Sequence, residues 1–266
     1  MRSPAHKRFR WVILPALALF VLLYPIGLRI ENDRFYPKEY HQPIYNVREG
    51  GTIAIMAMMG GFRPMAANLL WLKADQYWHM GASGWWRMVP VLQTICELDP
   101  HFIDAWSTFG WHCAWNIYAD APDEDKPKWV ETGIAVYERG IRFNPDRYDL
   151  YKDLAWLYHD KLKDYERAIP AWQETLKHPD APMYVRHMLA HCYEITWQVD
   201  KAVATWEECL RIDPKDHVAI SAVKWWEEQT SSPDKLNAEL RRILERENKI
   251  RKSRRLPMME QPFSIR

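Results

Sequence analysis

Apolar residues recur every three or four positions through most of the chain after residue 100. Ala202, Trp206, Cys209 and Leu210 stand at i, i+4, i+7 and i+8, one face of a helix. Just upstream, Leu189, Ala190 and Tyr193 share one side of a second helix. The same couple occurs earlier as Leu154, Ala155 and Tyr158 followed by Ala168 and Trp172. Before that it occurs as Trp106, Phe109 and Gly110 followed by Gly133, Tyr137 and Gly140. Four prolines punctuate these patterns: Leu98-Asp99-Pro100, Phe143-Asn144-Pro145, Lys177-His178-Pro179 and Ile212-Asp213-Pro214, spaced 45, 34 and 35 residues apart. Two amphipathic helices per period predict an all-α stack of hairpins. Each hairpin alone leaves an apolar face in water, so a continuous core forms only by stacking.

The first sixty residues follow a different pattern. Trp11 to Leu28 (WVILPALALFVLLYPIGL) is an 18-residue run without charge, preceded by Arg2, Lys7, Arg8 and Arg10. As a helix it extends roughly 27 Å, close to a hydrocarbon core of about 30 Å. The basic flank places the N-terminus in the cytoplasm. A cleaved signal peptide is the rival reading, but Tyr24-Pro25-Ile26-Gly27-Leu28-Arg29 offers no small-x-small cleavage site. The expectation is an uncleaved signal anchor that puts everything after Leu28 across an inner or plasma membrane, in a periplasm or other extracytoplasmic space. Residues 29–63 read as a linker and apolar membrane-proximal segment. Thr52–Met59 and Met65–Leu72, separated by Gly60-Gly61-Phe62-Arg63-Pro64, are expected as two short buried or membrane-hugging pieces, because one span would carry Arg63 near its centre.

Beyond the anchor, helical repeats are expected over 64–229, with degenerate pairs at 64–100 and 215–254 as caps. The helix from Asp216 should turn Val218, Val223 and Trp226 inward. Ser231-Ser232-Pro233-Asp234 is a helix start. The amphipathic capping helix that follows (230–255) carries Leu236, Leu240, Ile243, Leu244 and Ile250 over the last repeat, with a basic reverse side. Residues 256–266 read as a flexible tail.

These residues resemble the tetratricopeptide repeat (TPR) family, whose units carry an aromatic at position 4, Leu-Gly at 7 and 8, Tyr at 11, small residues at 20 and 27, an aromatic at 24 and Pro at 32. The unit from Ile103 matches with Trp106, Phe109, Gly110, Gly133, Tyr137, Gly140 and Pro145, departing at Cys113. The unit from Tyr148 matches with Tyr151, Leu154, Ala155, Tyr158, Ala168 and Trp172, one residue being added in its turn. The unit from Met183 matches with Leu189, Ala190, Tyr193, Ala202, Trp206, Cys209 and Pro214, departing at Arg186. The resemblance implies a TPR-type α-solenoid behind a single transmembrane helix, and a concave groove that binds protein or peptide partners. On the positions that line that groove in the family stand Trp111, Trp115 and Trp156, then Lys152, His159, Tyr184, His187 and His191. Trp111, Trp156 and His191 each occupy position 9 of their unit. The long first unit owes its length to Ala119–Lys128 (ADAPDEDKPK), a tolerated insertion or a recognition loop.

Composition narrows the function further. Ten Gly in 266 residues, with no G-x-G-x-x-G, Walker loop, H-E-x-x-H, G-x-S-x-G or C-x-x-C, remove the common phosphate-binding, hydrolytic and redox signatures. The net charge of +1 is segregated: the first ten residues carry +4 and residues 234–266 carry +5, leaving −8 for the body. That acidic body argues against nucleic acid. His187 and His191, at i and i+4 with Glu194 nearby, suit a metal, yet the spacing supplies no third ligand beyond that acid. Cys96, Cys113, Cys192 and Cys209 read as buried thiols, with a disulfide as the alternative. The expectation is a non-enzymatic scaffold or adaptor without cofactor, metal or small-molecule substrate, serving assembly of an envelope complex. One alternative is a constitutive structural subunit of a large membrane complex, which an exposed apolar patch at 52–72 would favour. A less favoured one is a metal-handling or enzymatic protein using His187, His191 and Glu194 or an uncharted site, which a third and fourth ligand converging on that pair would support.

Overall fold

The computed structural model describes residues 60–260. The basic start, the anchor at 11–28, the linker as far as residue 59 and the end of the tail at 261–266 lie outside the described residues. Among the described residues the structure is all helix and connection, and no helix is long and apolar enough to cross a membrane. The chain divides into two compact units, Met1–Lys126 and Pro127–Arg266.

In the first unit, a 3-10 turn at Gly60–Phe62 leads into α1 (Arg63–His79), followed by α2 (Ala82–Leu98) and α3 (Ile103–Trp111). Pro64 sits in the first turn of α1, where its missing N–H costs nothing, so the Gly-Gly-x-x-Pro sequence starts a helix. Met65–Leu72 is therefore part of one 17-residue helix. That helix presses Ala67 and Ala74 onto α2 and leaves Met65, Leu69 and Leu72 exposed, so this piece is one helix with an exposed apolar stripe and is not buried as the first of the two expected alternatives had it. Arg63 is buried with its guanidinium donating to the Glu97 carbonyl at 2.7 Å. The α1–α2 turn needs two glycines. Gly81 holds φ +62°, and a Cβ on Gly84 would lie 2.0 Å from the Tyr77 carbonyl oxygen.

The winding of α3 widens into a π-helical stretch at His112–Ile117 and ends with Tyr118–Asp120. This extension absorbs part of the long first repeat. The insertion shrinks to a connection at 121–125, and the Trp86 indole donates to Asp120 at 2.6 Å.

The second unit contains α4 (Lys126–Phe143), α5 (Tyr148–Trp156), α6 (Tyr165–Leu176), α7 (Tyr184–Ile195), α8 (Val199–Ile212), α9 (His217–Gln229) and α10 (Pro233–Ser253). Helices α5 to α9 pack in succession. The repeat positions supply the core: Leu154, Ala155, Tyr158, Ala168, Trp172, Leu189, Ala190, Tyr193, Ala202, Trp206 and Cys209 are all buried. The small residues let neighbouring helices approach while the aromatics fill the space between them. The residue added to the Tyr148 unit is taken up as a π-helical stretch at Leu157–Leu162, which ends on Lys163 at φ 53°. Asp164 then caps α6 by accepting from Arg167 N.

Two packing expectations change. Asp216 caps α9 by accepting from Val218 N and Ala219 N, which fixes the helix phase so that Ala219 and Trp226 face inward. Val218, one step earlier on the wheel, is half exposed, contrary to its expected inward placement. Helix α10 starts as read, with Ser232 accepting from Lys235 N and Pro233 in the first turn. It buries Leu240 and Ile243 and packs on α9 and α7. It also reaches beyond the last repeat: Tyr165 Oη donates to Glu247 at 2.6 Å, Arg251 donates to the Lys163 carbonyl and Arg254 to the Asp160 carbonyl. The tail is held as far as Met259, whose N–H donates to Asn248 Oδ1 at 2.7 Å.

Candidate partner-binding face

Lys152 and Trp156 lie at i and i+4 on α5 and so share one side of it, and His159, in the π-helical stretch that follows, stacks on Trp156. Tyr184, His187 and His191 lie at i, i+3 and i+7 on α7, sharing one side likewise. The two sides are neighbours. His159 Nδ1 stands 3.2 Å from the sulfur of Cys192 on α7. Lys152 is near enough to Tyr184 for its charge to pull the phenol's pKa down, although burial, the larger effect, leaves that pKa raised. Six of the eight residues read from the sequence are thus brought together.

Trp156 is 40% exposed; it stacks on His159 with ring centres 6.0 Å apart and planes 11° apart. Its edge meets Trp172 at 6.5 Å, so one face of the ring is backed by core while the rest meets solvent. Tyr184 is 45% exposed, and Lys152 pairs with Asp153 at 3.4 Å. The combination is amphipathic: aromatic surface, hydrogen-bonding imidazoles and one cation.

The two histidines on α7 turn to different acids. His187 Nε2 meets Asp216 at 2.6 Å, whereas His191 Nδ1 meets Glu194 at 2.8 Å. Both rings rest against Trp206, with centres 5.2 and 5.0 Å away. The other oxygen of Glu194 accepts from two indoles, Trp206 Nε1 at 2.8 Å and Trp226 Nε1 at 2.7 Å. Burial alone would raise the Glu194 pKa. The hydrogen bond and charge of His191, with the two indole donors, outweigh it and hold the carboxyl below its ordinary value.

His159 and Cys192 resemble a nucleophilic dyad in type but not in protonation. Burial lowers the His159 pKa to about 4, helped by Lys163 and His191, and burial raises the Cys192 thiol to about 12. Both are neutral near pH 7, so the thiolate that such chemistry needs is disfavoured. The same burial makes His159 a source of acid sensitivity. The unfolded chain takes up the proton first, near 6.5, so stability is whole above that pH and falls as pH drops toward 4. The loss is expected to reach at most about 3 kcal/mol, and His159→Phe should flatten this slope. Urea midpoints of both proteins at pH 7 and pH 4.5 check it; parallel shifts would show that His159 is not the group responsible.

Trp111 and Trp115 belong to the first unit and build an aromatic surface there. Trp111, 38% exposed, stacks on Trp115 at 6.1 Å and tilts against Trp78 of α1 at 5.7 Å. Beneath them His112 is buried; its Nε2 is paired with the Trp85 carbonyl at 2.9 Å, and burial lowers its pKa. Trp78 was missed in the sequence, although Trp71 and Trp78 at i and i+7 mark one face of α1. Asp216 was read only as a helix start, and its role as the partner of His187 had no local signal.

No family model matches the chain, and no curated protein matches it. Solved structures of similar fold include TTC0263, a thermophilic TPR protein of Thermus thermophilus, at 18% identity and TM-score 0.42, covering 66% of this chain and 94% of that one. The MamA protein is similar at 14% identity and TM-score 0.47, covering 73% and 98%. YrrB, a TPR protein described as having an unusual peptide-binding site, is similar at 16% identity and TM-score 0.44, covering 73% and 91%.

Proposed function

We propose that this chain is a membrane-anchored, non-catalytic TPR-type scaffold that holds a protein segment on the α5–α7 face. The observation that carries this is Trp156: a large ring, partly exposed and fixed from behind by His159 and Trp172. A ring already immobilised loses little freedom on binding and buries much area, which is how aromatic hot spots work. Around it, Lys152, Tyr184 and His191 supply donors and acceptors for the backbone and side chains of an extended segment or partner helix. The anchor read at 11–28 would confine the search to the membrane plane and raise the effective concentration of partners there. The setting proposed is assembly of an envelope complex on the extracytoplasmic side.

A second reading has its own observation. Phe62 at the start of α1 and Met65, Leu69 and Leu72 on it are all exposed, an apolar stripe that suits a constitutive structural subunit of a larger membrane complex. Capture of the tagged full-length chain from its own membranes separates the two. The scaffold reading expects a partner whose binding weakens by about 2 kcal/mol or more, roughly thirtyfold, in Trp156→Ala. A partner lost instead in Leu69→Glu, and indifferent to Trp156→Ala, overturns it in favour of the subunit.

A further inference from the structure

We propose that His187, Cys209 and Asp216 form a binding site for a borderline-soft divalent cation, zinc in the first instance. The three residues come from three elements, α7, α8 and the cap of α9, and their ligand atoms all lie within 4.8 Å of one another. His187 Nε2 and an oxygen of Asp216 are 2.6 Å apart, Cys209 is fully buried, and the side chains of Asp216 and His187 are 8% and 20% exposed. Metal–ligand distances of about 2.0 Å to nitrogen or oxygen and 2.3 Å to sulfur place tetrahedral donors roughly 3.2–3.8 Å apart. To reach that spacing His187 and Asp216 separate by less than an ångström, and the Cys209 sulfur adjusts from within 4.8 Å of both.

The surroundings orient the donors. One Asp216 oxygen is held by Val218 N at 3.0 Å and Ala219 N at 3.1 Å, which leaves the oxygen facing His187 to serve as ligand. The Trp206 ring, 5.2 Å away, fixes the imidazole plane. Sulfur, nitrogen and oxygen donors together disfavour magnesium and calcium, which prefer oxygen alone. On binding, the Cys209 S–H bond breaks, a metal–sulfur bond forms and the proton leaves to solvent. The fourth tetrahedral position falls to water. Such an ion would tie the α7–α8 hairpin to the start of α9.

Cobalt(II) reports the site directly. Metal-free full-length protein in detergent micelles, titrated with cobalt(II), should develop a near-ultraviolet thiolate-to-cobalt charge-transfer band that saturates at one equivalent and is displaced by zinc. Cys209→Ala should abolish the band while melting as a folded protein, because the position accommodates a small side chain. Cys192→Ala should keep it. Asp216→Asn retains the helix cap and should weaken cobalt binding at least tenfold. A folded wild type without the band, a band that survives Cys209→Ala, or unchanged affinity in Asp216→Asn would each overturn the site.

Discussion

Trp172→Ala is expected to destabilise the protein by about 3–5 kcal/mol, and Trp156→Ala by distinctly less. Trp172 is wholly buried on α6, so truncation leaves a cavity the size of an indole among helices that pack too regularly to collapse around it. Trp156 sits one contact further out, with 40% of its surface already in water, and its removal forfeits a stack on His159 and an edge contact on Trp172. Denaturant melts of the two variants decide the matter. If Trp156→Ala unfolds as readily as Trp172→Ala, the ring belongs to the core and the proposed face loses its anchor. If Trp156→Ala is stable and any captured partner still binds normally, the face exists but the partner docks elsewhere.

The contrast between these tryptophans shows how much the sequence carried. Trp106, Trp172 and Trp206 are buried because the helical period puts them on the inner face, and period is a local property that a sequence displays. The small positions Gly110, Ala155, Ala190, Ala202 and Cys209 were legible for the same reason. What the period does not show is where a helix changes its winding. The π-helical stretches at His112–Ile117 and Leu157–Leu162 absorb additions that the linear pattern places in loops. Phase was hidden too at α9, where the Asp216 cap, not hydropathy, decides that Ala219 and not Val218 turns inward.

Side-chain pairing was the least legible layer. The spacing of His187, His191 and Glu194 brings three chemical groups to one side of a helix, and that much holds. Their partners come from other helices: Asp216 for His187, and Trp206 and Trp226 for Glu194. Separations of 12 to 32 residues leave no trace in a local pattern. Each histidine is engaged by a different acid, and the i, i+4 spacing alone does not reveal which.

Glu194→Ala is expected to cost about 3–5 kcal/mol, although it removes a side chain with no apolar packing role. Its carboxylate is where α7, α8 and α9 meet chemically, since one oxygen accepts from the indoles of Trp206 and Trp226 and the other pairs with His191. Both indoles are buried, so truncation strands two N–H groups away from water, at about 1–3 kcal/mol each. Glu194→Gln separates hydrogen bonding from charge. Its amide oxygen still serves the indoles, so the loss should be nearer to about 1 kcal/mol at pH 7. The charge has its own signature. Because the Glu194 carboxyl is held below its ordinary value in the fold, its contribution is fully present above the unfolded carboxyl's pKa of about 4.3. It is lost as pH falls through the depressed folded value. Glu194→Gln should therefore lose less stability than wild type between pH 5 and pH 3. Urea melts of the three proteins at those pH values test both halves. A Glu194→Ala protein within about 1 kcal/mol of wild type would mean that the two indoles find other acceptors and that the carboxylate does not tie these helices together.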